Sequence, residues 1–468
     1  MIMFELENGD IEIALTGETL LCRKLSVFRE PEFLGLIELL RKADVTFTNL
    51  ECIIQDWEDA PNSFAGGGAP GGTYMVTPPE LLEELKWAGF NLLAAANNHS
   101  FDFGEAGILK ALKHLNTSDM AHAGLGANLT QATAPCYLDT PKGRVAMVSA
   151  CDWGPRGAGD IPWPFPMGVI AGEQSPYSKG RPGINLVRCK TEVSVDRETL
   201  AALRRASEKL GWVSARDSRR KGSVGFDRPI SGARFTEEID SDDTFYFMGT
   251  KFLLGEKTGV TMVAEPEDIA RNLKWIRDAR RMASWVIASF HNHGGGGGPY
   301  VAPAYSLKYA HECIDAGADL YVGHGTGRDR GIEIYKGKAI FHGIGDFILQ
   351  NEQVPWVPYE IMNRFGLTHE NTPADFYDAR SGHGTKGSAV SPERWRGAVP
   401  VLKYAKGQLR EIRLHPIDLG GHLPRHERGR PMLSQTGSET FKAVIAHYQE
   451  VSRTFGTEIS ADGVIRIP

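Results

Sequence analysis

Short apolar runs that break off at polar turns recur along this chain, and most are followed by helical spacing. Ile11 to Thr16 alternates and stops at Gly17-Glu18-Thr19, which predicts a strand ending at a carboxylate. Phe33, Leu36, Ile37 and Leu40 place a helix over Pro31 to Lys42, and Asp44 to Thr48 predicts a strand running out into Asn49-Leu50-Glu51. Pro78 opens a helix to Ala88, with proline in its first turn. Phe90 to Ala95 then reads as a buried strand that halts at Asn97-Asn98-His99. From Gly104 the spacing of Ile108, Leu109, Leu112 and Leu115 predicts a helix with those four inward. Asn98 or Ser100 is its expected cap and Asp102 its expected start.

Val145 to Ala150 is a further strand, ending at Cys151-Asp152-Trp153. Beyond it Gly, Pro and Trp crowd the chain, and a charged helix spans Asp196 to Leu210. The alternation returns with a helix from Pro266 through Leu273, Ile276 and Met282. Ser284 to Phe290 is a strand ending in His291-Asn292-His293, and Asp319 to Val322 one ending in Gly323-His324. A hairpin is expected about Lys336-Gly337, a polar loop over Asn351 to Arg394, then two strands and a helix over Glu439 to Ser452. Strand–turn–helix alternation predicts an α/β fold with its ligands beyond the carboxyl ends of the strands. Three parts follow: a core segment 1–152, an insertion 153–261, and a second core segment 262–468. The insertion is expected to cover the mouth of the site, with Trp153, Trp163, Phe165 and Tyr177 as apolar walls.

Composition narrows the function classes. At 468 residues, 41% hydrophobic and 24% charged, the chain reads as a soluble globular protein. A net charge of −6 argues against nucleic-acid binding. Six scattered cysteines without a C-x-x-C pair suggest neither disulfides nor a thiolate zinc site. No apolar leader or membrane-length run is present, so the expectation is a cytoplasmic protein with no membrane partner. Homo-oligomer formation stays open.

Five predicted strand ends carry Glu18, Glu51, Asn98/His99, His291/His293 and His324. Local propensity does not require carboxylates and imidazoles at the same end of successive strands. Together they suggest a crevice lined with oxygen and nitrogen donors, suited to one or two divalent transition metals (Mn, Zn, Fe or Co). His99 could ligate or move protons. Arg328, in the loop after His324, could clamp an anionic substrate group, and Asp152 and Asp346 could orient ligands from behind. Gly294 to Gly298 lacks the Lys-Ser/Thr of a phosphate loop, and Gly124-x-Gly126 lacks a third glycine.

These motifs resemble the poly-γ-glutamate capsule-synthesis (CapA-like) family. Its carriers here are Gly17-Glu18, Ala43-Asp44…Asn49-Leu50-Glu51, Asn97-Asn98-His99…Asp102-x-Gly104, Ala316-Gly317-Ala318-Asp319…Gly323-His324 and Gly345-Asp346-Phe347. The resemblance implies the calcineurin-like metallophosphoesterase fold, a layered β-sandwich flanked by helices with metals at the strand ends. The chain departs from the family at Gly17-Glu18 for Gly-Asp, His291-Asn292-His293 for His-Trp-Gly, and Gly323-His324-Gly325-Thr326-Gly327 for Gly-His-His-Pro-His. Gly345-Asp346-Phe347 replaces Gly-Asn-Phe, and the membrane anchor of many members is not seen. The expected function is a soluble hydrolase that directs a metal-bound hydroxide at a small-molecule or short polymer substrate. An amide or ester is slightly preferred over a phosphoester. A capsule assembly or release protein, or a catalytically silent binding protein, is the alternative. In the expected division of roles Glu51 bridges the ions, Glu18, Asn98, His291, His293 and His324 complete the shells, and His99 is the general acid.

Overall fold

The computed structural model describes residues 9–61, 72–152, 170–222, 239–248, 250–294 and 298–467. Trp153, Trp163 and Phe165 lie outside them, as do most of the glycine-rich segment after Ala60 and part of Gly294 to Gly298. The chain divides into two units. The first comprises 1–152, 169–186 and 269–468, and the second 153–168 and 187–268.

In the first unit, alternation along each strand turns one set of side chains into a core shared by two sheets. Ile11, Ile13, Leu15, Val45, Phe47 and Leu92 of one sheet join Val145, Met147, Trp285, Ile287, Leu320 and Val322 of the other in a single buried cluster. The larger sheet has nine strands. Its main order is Met432–Leu433, Gln408–Asp418, Arg396–Ala405, Ile11–Leu20, Val45–Leu50, Leu92–Ala94 and Ala121–Ala123. Asp346–Leu349 also pairs with the first strand and Val464–Arg466 with Gln408–Asp418. The six-stranded sheet runs Ile332–Tyr335, Lys338–Phe341, Leu320–His324, Trp285–His291, Gly143–Cys151 and Cys136–Thr140. Helices Pro31–Lys42, Gly104–Leu115, Ala304–Asp315 and Glu439–Ser452 bury apolar faces. This is a two-sheet layered arrangement flanked by helices, of the α/β class that the strand–turn–helix alternation predicts.

Parallel register brings the strand ends level. Glu18 pairs with Asn49 and His291 with His324. The first strand shifts register between Leu15 and Glu18, a bulge that needs a glycine. A Cβ on Gly17 would lie 1.6 Å from the Gly345 carbonyl oxygen.

Several local expectations are corrected. Leu109 is 49% exposed, and the buried face of its helix is Gly107, Ile108, Ala111 and Leu115. Met282 lies past the end of its helix at Arg280 and is exposed. The expected polar loop contains helices Tyr359–Arg364 and Pro373–Ser381.

The second unit has a four-stranded sheet, ordered Thr244–Phe247, Thr250–Leu254, Cys189–Val195 and Gly259–Ala264. Helix Arg197–Lys209 starts at Asp196, whose side chain accepts from Thr199 N. Val195, Leu200 and Phe245 form the unit's own core. The expected boundary at Thr261 therefore falls inside a paired strand, and the unit runs on to Asp268. Residues 169–186 return to the first unit, where Gly183–Ile184 pairs with Leu125–Gly126. Tyr177 belongs to that return and is 99% exposed, so it forms no apolar wall.

Candidate metal centre

The turn after Leu92–Ala94 is built by hydrogen bonds that only short polar side chains can make. Asn97 caps the turn Asn98–Phe101, accepting from His99 N at 3.1 Å, and its amide donates to the Leu50 carbonyl at 2.7 Å. Asn97 thus caps this turn and ties it to the strand end that carries Glu51, whereas the helix Gly104–Leu115 follows Phe103 with no side-chain cap, so neither Asn98 nor Ser100 caps it. Asp102 does not start the helix. Its Oδ2 meets His99 Nδ1 at 2.7 Å and accepts from Met75 N at 3.0 Å. His99 Nε2 then lies 3.9 Å from Glu51 Oε1.

From the other sheet come the imidazoles. His291 closes its strand and is fully buried. Its Nε2 lies 3.8 Å from Glu51 Oε1 and 2.9 Å from His293 Nε2. Its Nδ1 faces Asn49 Nδ2 at 3.2 Å and His324 Nδ1 at 3.0 Å. In each facing pair of ring nitrogens only one can carry the intervening proton, so nitrogen lone pairs converge on this spot. Glu51, His291 and His293 offer one ligand atom each, all within 4.8 Å of one another.

His324 stands behind this group, with Ser289 Oγ 2.8 Å from its Nε2. Burial pushes its imidazole down to about 3, so the ring is neutral. Glu18 is buried beside Glu51 and accepts from the backbone N–H of Gly325 and, at 3.0 Å, of Gly327. Gly325 has φ of +126°, and a Cβ there would meet the Asn292 carbonyl at 2.5 Å. Asn98 is buried, and its Oδ1 has no hydrogen-bond partner among the described residues. Arg328 makes no contact with the cluster that the structure describes; it lies 3.6 Å from Glu393, with its guanidinium 5.8 Å from the Tyr300 ring centre.

Electrostatics mark the site as short of positive charge. Burial, then the neighbouring Glu18 carboxylate, hold the Glu51 carboxyl well above the usual range. Asp346 is raised for the same first reason, even with Arg394 2.8 Å away. Glu51 Oε2 and Asn49 Oδ1 join Asn98 Oδ1 as buried oxygens without a hydrogen-bond partner among the described residues. Mixed carboxylate, amide and imidazole donors with orphaned lone pairs fit a divalent transition metal. Sequence reasoning misses Arg394 altogether and does not assign Asn49 or Ser289. Asn49 stands in the Asn-Leu-Glu motif and could have been found there; Ser289 and Arg394 carry no local signal.

Residues 12–351 match the family model described as bacterial capsule synthesis protein PGA_cap. Two uncharacterized proteins of Sinorhizobium fredii (strain NBRC 101917 / NGR234), y4sH and y4uA, are each 31% identical over 463 residues, covering 96% of this chain and 92% of their own. A probable polyglutamine synthesis accessory protein of Mycobacterium tuberculosis is 34% identical over 96 residues, 20% of this chain and 25% of that one. Among solved structures, the NAD nucleotidase NadN of Haemophilus influenzae aligns with 97% of this chain and 62% of its own, at 9% identity and a TM-score of 0.33. That likeness is too low to bear on the site.

Proposed function

The chain belongs to the PGA_cap family of bacterial capsule synthesis proteins, and from that premise we propose that it is a metal-dependent hydrolase. The observation that carries this reading is the juxtaposition of a buried His99–Asp102 pair with the Glu51, His291 and His293 donor cluster. Glu51, His291 and His293 would hold the cation, with Asn98 and Glu18 adjoining and His324 supporting His291 from behind. One or two ions of Mn, Zn, Fe or Co, when bound, supply Lewis acidity and an activated water.

The chain's own residues do the rest. Asp102 fixes the His99 ring through Nδ1 and leaves Nε2 facing the cluster. His99 then passes a proton from Nε2 to the leaving group. Glu51 sets the charge of the cation site. We favour an amide or ester bond in a small polar or short polymeric substrate. The loop Gly323 to Gly327 supports this preference, since it keeps one histidine and gives backbone N–H groups to Glu18. The cytoplasmic placement rests on the scattered cysteines and belongs to the same proposal. No helix among the described residues is long and apolar enough to cross a membrane. A role in capsule assembly or release is the second reading, favoured by the family match and the polyglutamine accessory relative.

The test is metal analysis together with turnover. Protein purified without chelator should carry about one equivalent or more of transition metal; less than about half an equivalent sinks the reading. His99→Ala should keep its metal and lose about 10²–10⁴ in turnover. Glu51→Ala should lose both. The His99→Ala deficit should shrink for substrates with good leaving groups, a result that a merely structural role for His99 does not give.

A further inference from the structure

His293 is where this chain gains an imidazole over the His-Trp-Gly pattern, and it lies just beyond the end of its strand. Asn292 N still donates to the His324 carbonyl at 2.6 Å. What holds the segment after that is a set of side chains from elsewhere in the same unit. His293 N donates to Asp152 Oδ1 at 3.2 Å. The Tyr305 hydroxyl donates to Asp152 Oδ2 and accepts from Asn292 Nδ2 at 2.8 Å. Arg330 spends two donors on the same segment, Nη1 to Asn292 Oδ1 at 3.3 Å and Nη2 to the Gly294 carbonyl at 2.6 Å. Asp152 N donates to the His291 carbonyl at 2.9 Å, closing the circuit. Asp152, Asn292 and Arg330 are all buried.

The arrangement is directional. A phenol that accepts from an amide N–H and gives its own proton to a carboxylate links Asn292, the residue before the histidine, to Asp152, which accepts the histidine's own backbone N–H. A buried polar network fixes one geometry to the extent that its members are satisfied, and here Arg330 Nε is the one buried nitrogen or oxygen of the four side chains without a hydrogen-bond partner among the described residues. The geometry fixed here is the backbone on which His293 reaches back to His291.

We propose that Asp152, Asn292, Tyr305 and Arg330 form a positioning frame that holds His293 as the third protein ligand of the cation site. The inference rests on the metal-dependent reading above. These residues touch neither cation nor substrate; they act through His293, and removing such support typically costs about 10–100-fold in metal affinity.

The experiment is a competition titration of Zn²⁺ or Mn²⁺ against a chromophoric chelator, on the full chain. Tyr305→Phe should weaken binding about 10–100-fold. In a His293→Ala background the same change should add little, because the frame acts through the residue already lost. Tyr404→Phe removes a buried hydroxyl whose only described bond is to the Asp319 carbonyl and should leave affinity unchanged. Where Tyr305→Phe does not fold, Asn292→Ala cuts the same link from its other end. The inference is overturned if Tyr305→Phe binds metal as tightly as the wild type, whatever its melting temperature, or if its loss adds in full to that of His293→Ala. If the wild type binds neither ion, the metal-dependent reading fails and this inference falls with it. A wild type that binds beside an unaffected Tyr305→Phe refutes the frame alone.

Discussion

His99 has its ring fixed from behind by a carboxylate that is itself held from two sides, by the imidazole and by Met75 N. Asp102→Asn keeps the shape of that support and removes its charge, and the amide can present an N–H where the ring nitrogen needs an acceptor. If His99 is the proton donor, turnover should fall on the order of 10²-fold or more. The metal content should stay at the wild-type level, so steady-state kinetics and metal analysis on the same preparation check it together. A metal-depleted Asp102→Asn protein would mean that His99 is a ligand. At this scale the site is partly legible in the sequence. Glu51, His99 and His291 each follow or close an apolar strand, where propensity alone gives no reason for them. Asp102 is not legible, because a carboxylate three residues after a histidine suits a helix start as well as a clasp. Arg394 comes to Asp346 from a different loop altogether, through tertiary packing that no local pattern encodes.

The turn that carries Asn98 and His99 depends on Asn97. Its two hydrogen bonds run in opposite directions, one into its own turn and one to the strand end before Glu51. Ser100 completes the cap by accepting from Asn97 N at 3.1 Å. Asn97→Ala removes the cap and leaves the buried Leu50 carbonyl without its donor, so stability should fall by about 1–3 kcal/mol in urea unfolding. A variant as stable as the wild type would show that the cap is dispensable. Elements with strong periodicity are legible, and so is the hairpin about Lys336-Gly337, whose φ values of +52° and +75° are those its two-residue turn demands. Pro373–Ser381 is hidden by its polarity, although Thr372 and Asp375 form a capping box that the sequence displays. Leu109 misleads because the buried stripe of its helix, Gly107, Ile108, Ala111 and Leu115, is narrower than the apolar pattern its sequence offers.

Across the whole molecule, sequence pattern identifies strands without identifying their neighbours. The pairing of Ile11–Leu20 with Arg396–Ala405 joins opposite ends of the chain, and only the shared core explains it. That far side of the sheet also carries His415, paired with Val399 on the neighbouring strand. Burial first, then the charges of Arg413 and Lys403, push its imidazole down to about 4. The folded protein therefore resists a proton that the unfolded chain takes up near the ordinary histidine value of about 6.5. The sign follows: its full contribution to stability is present above pH about 6.5 and is lost progressively as pH falls towards 4. His415→Gln keeps a polar side chain and cannot titrate. Unfolding free energies of the two proteins, measured in urea from pH 7.5 down to pH 4.5, should differ by a constant near neutrality. Below pH about 6.5 the wild type should lose ground steadily to the variant. His122, His324 and His342 are also held below the ordinary value by burial, but they are common to both proteins and cancel. Parallel pH profiles would mean that His415 gains its proton in the folded state as readily as in the unfolded one, and that this face of the sheet is wetter than its packing implies.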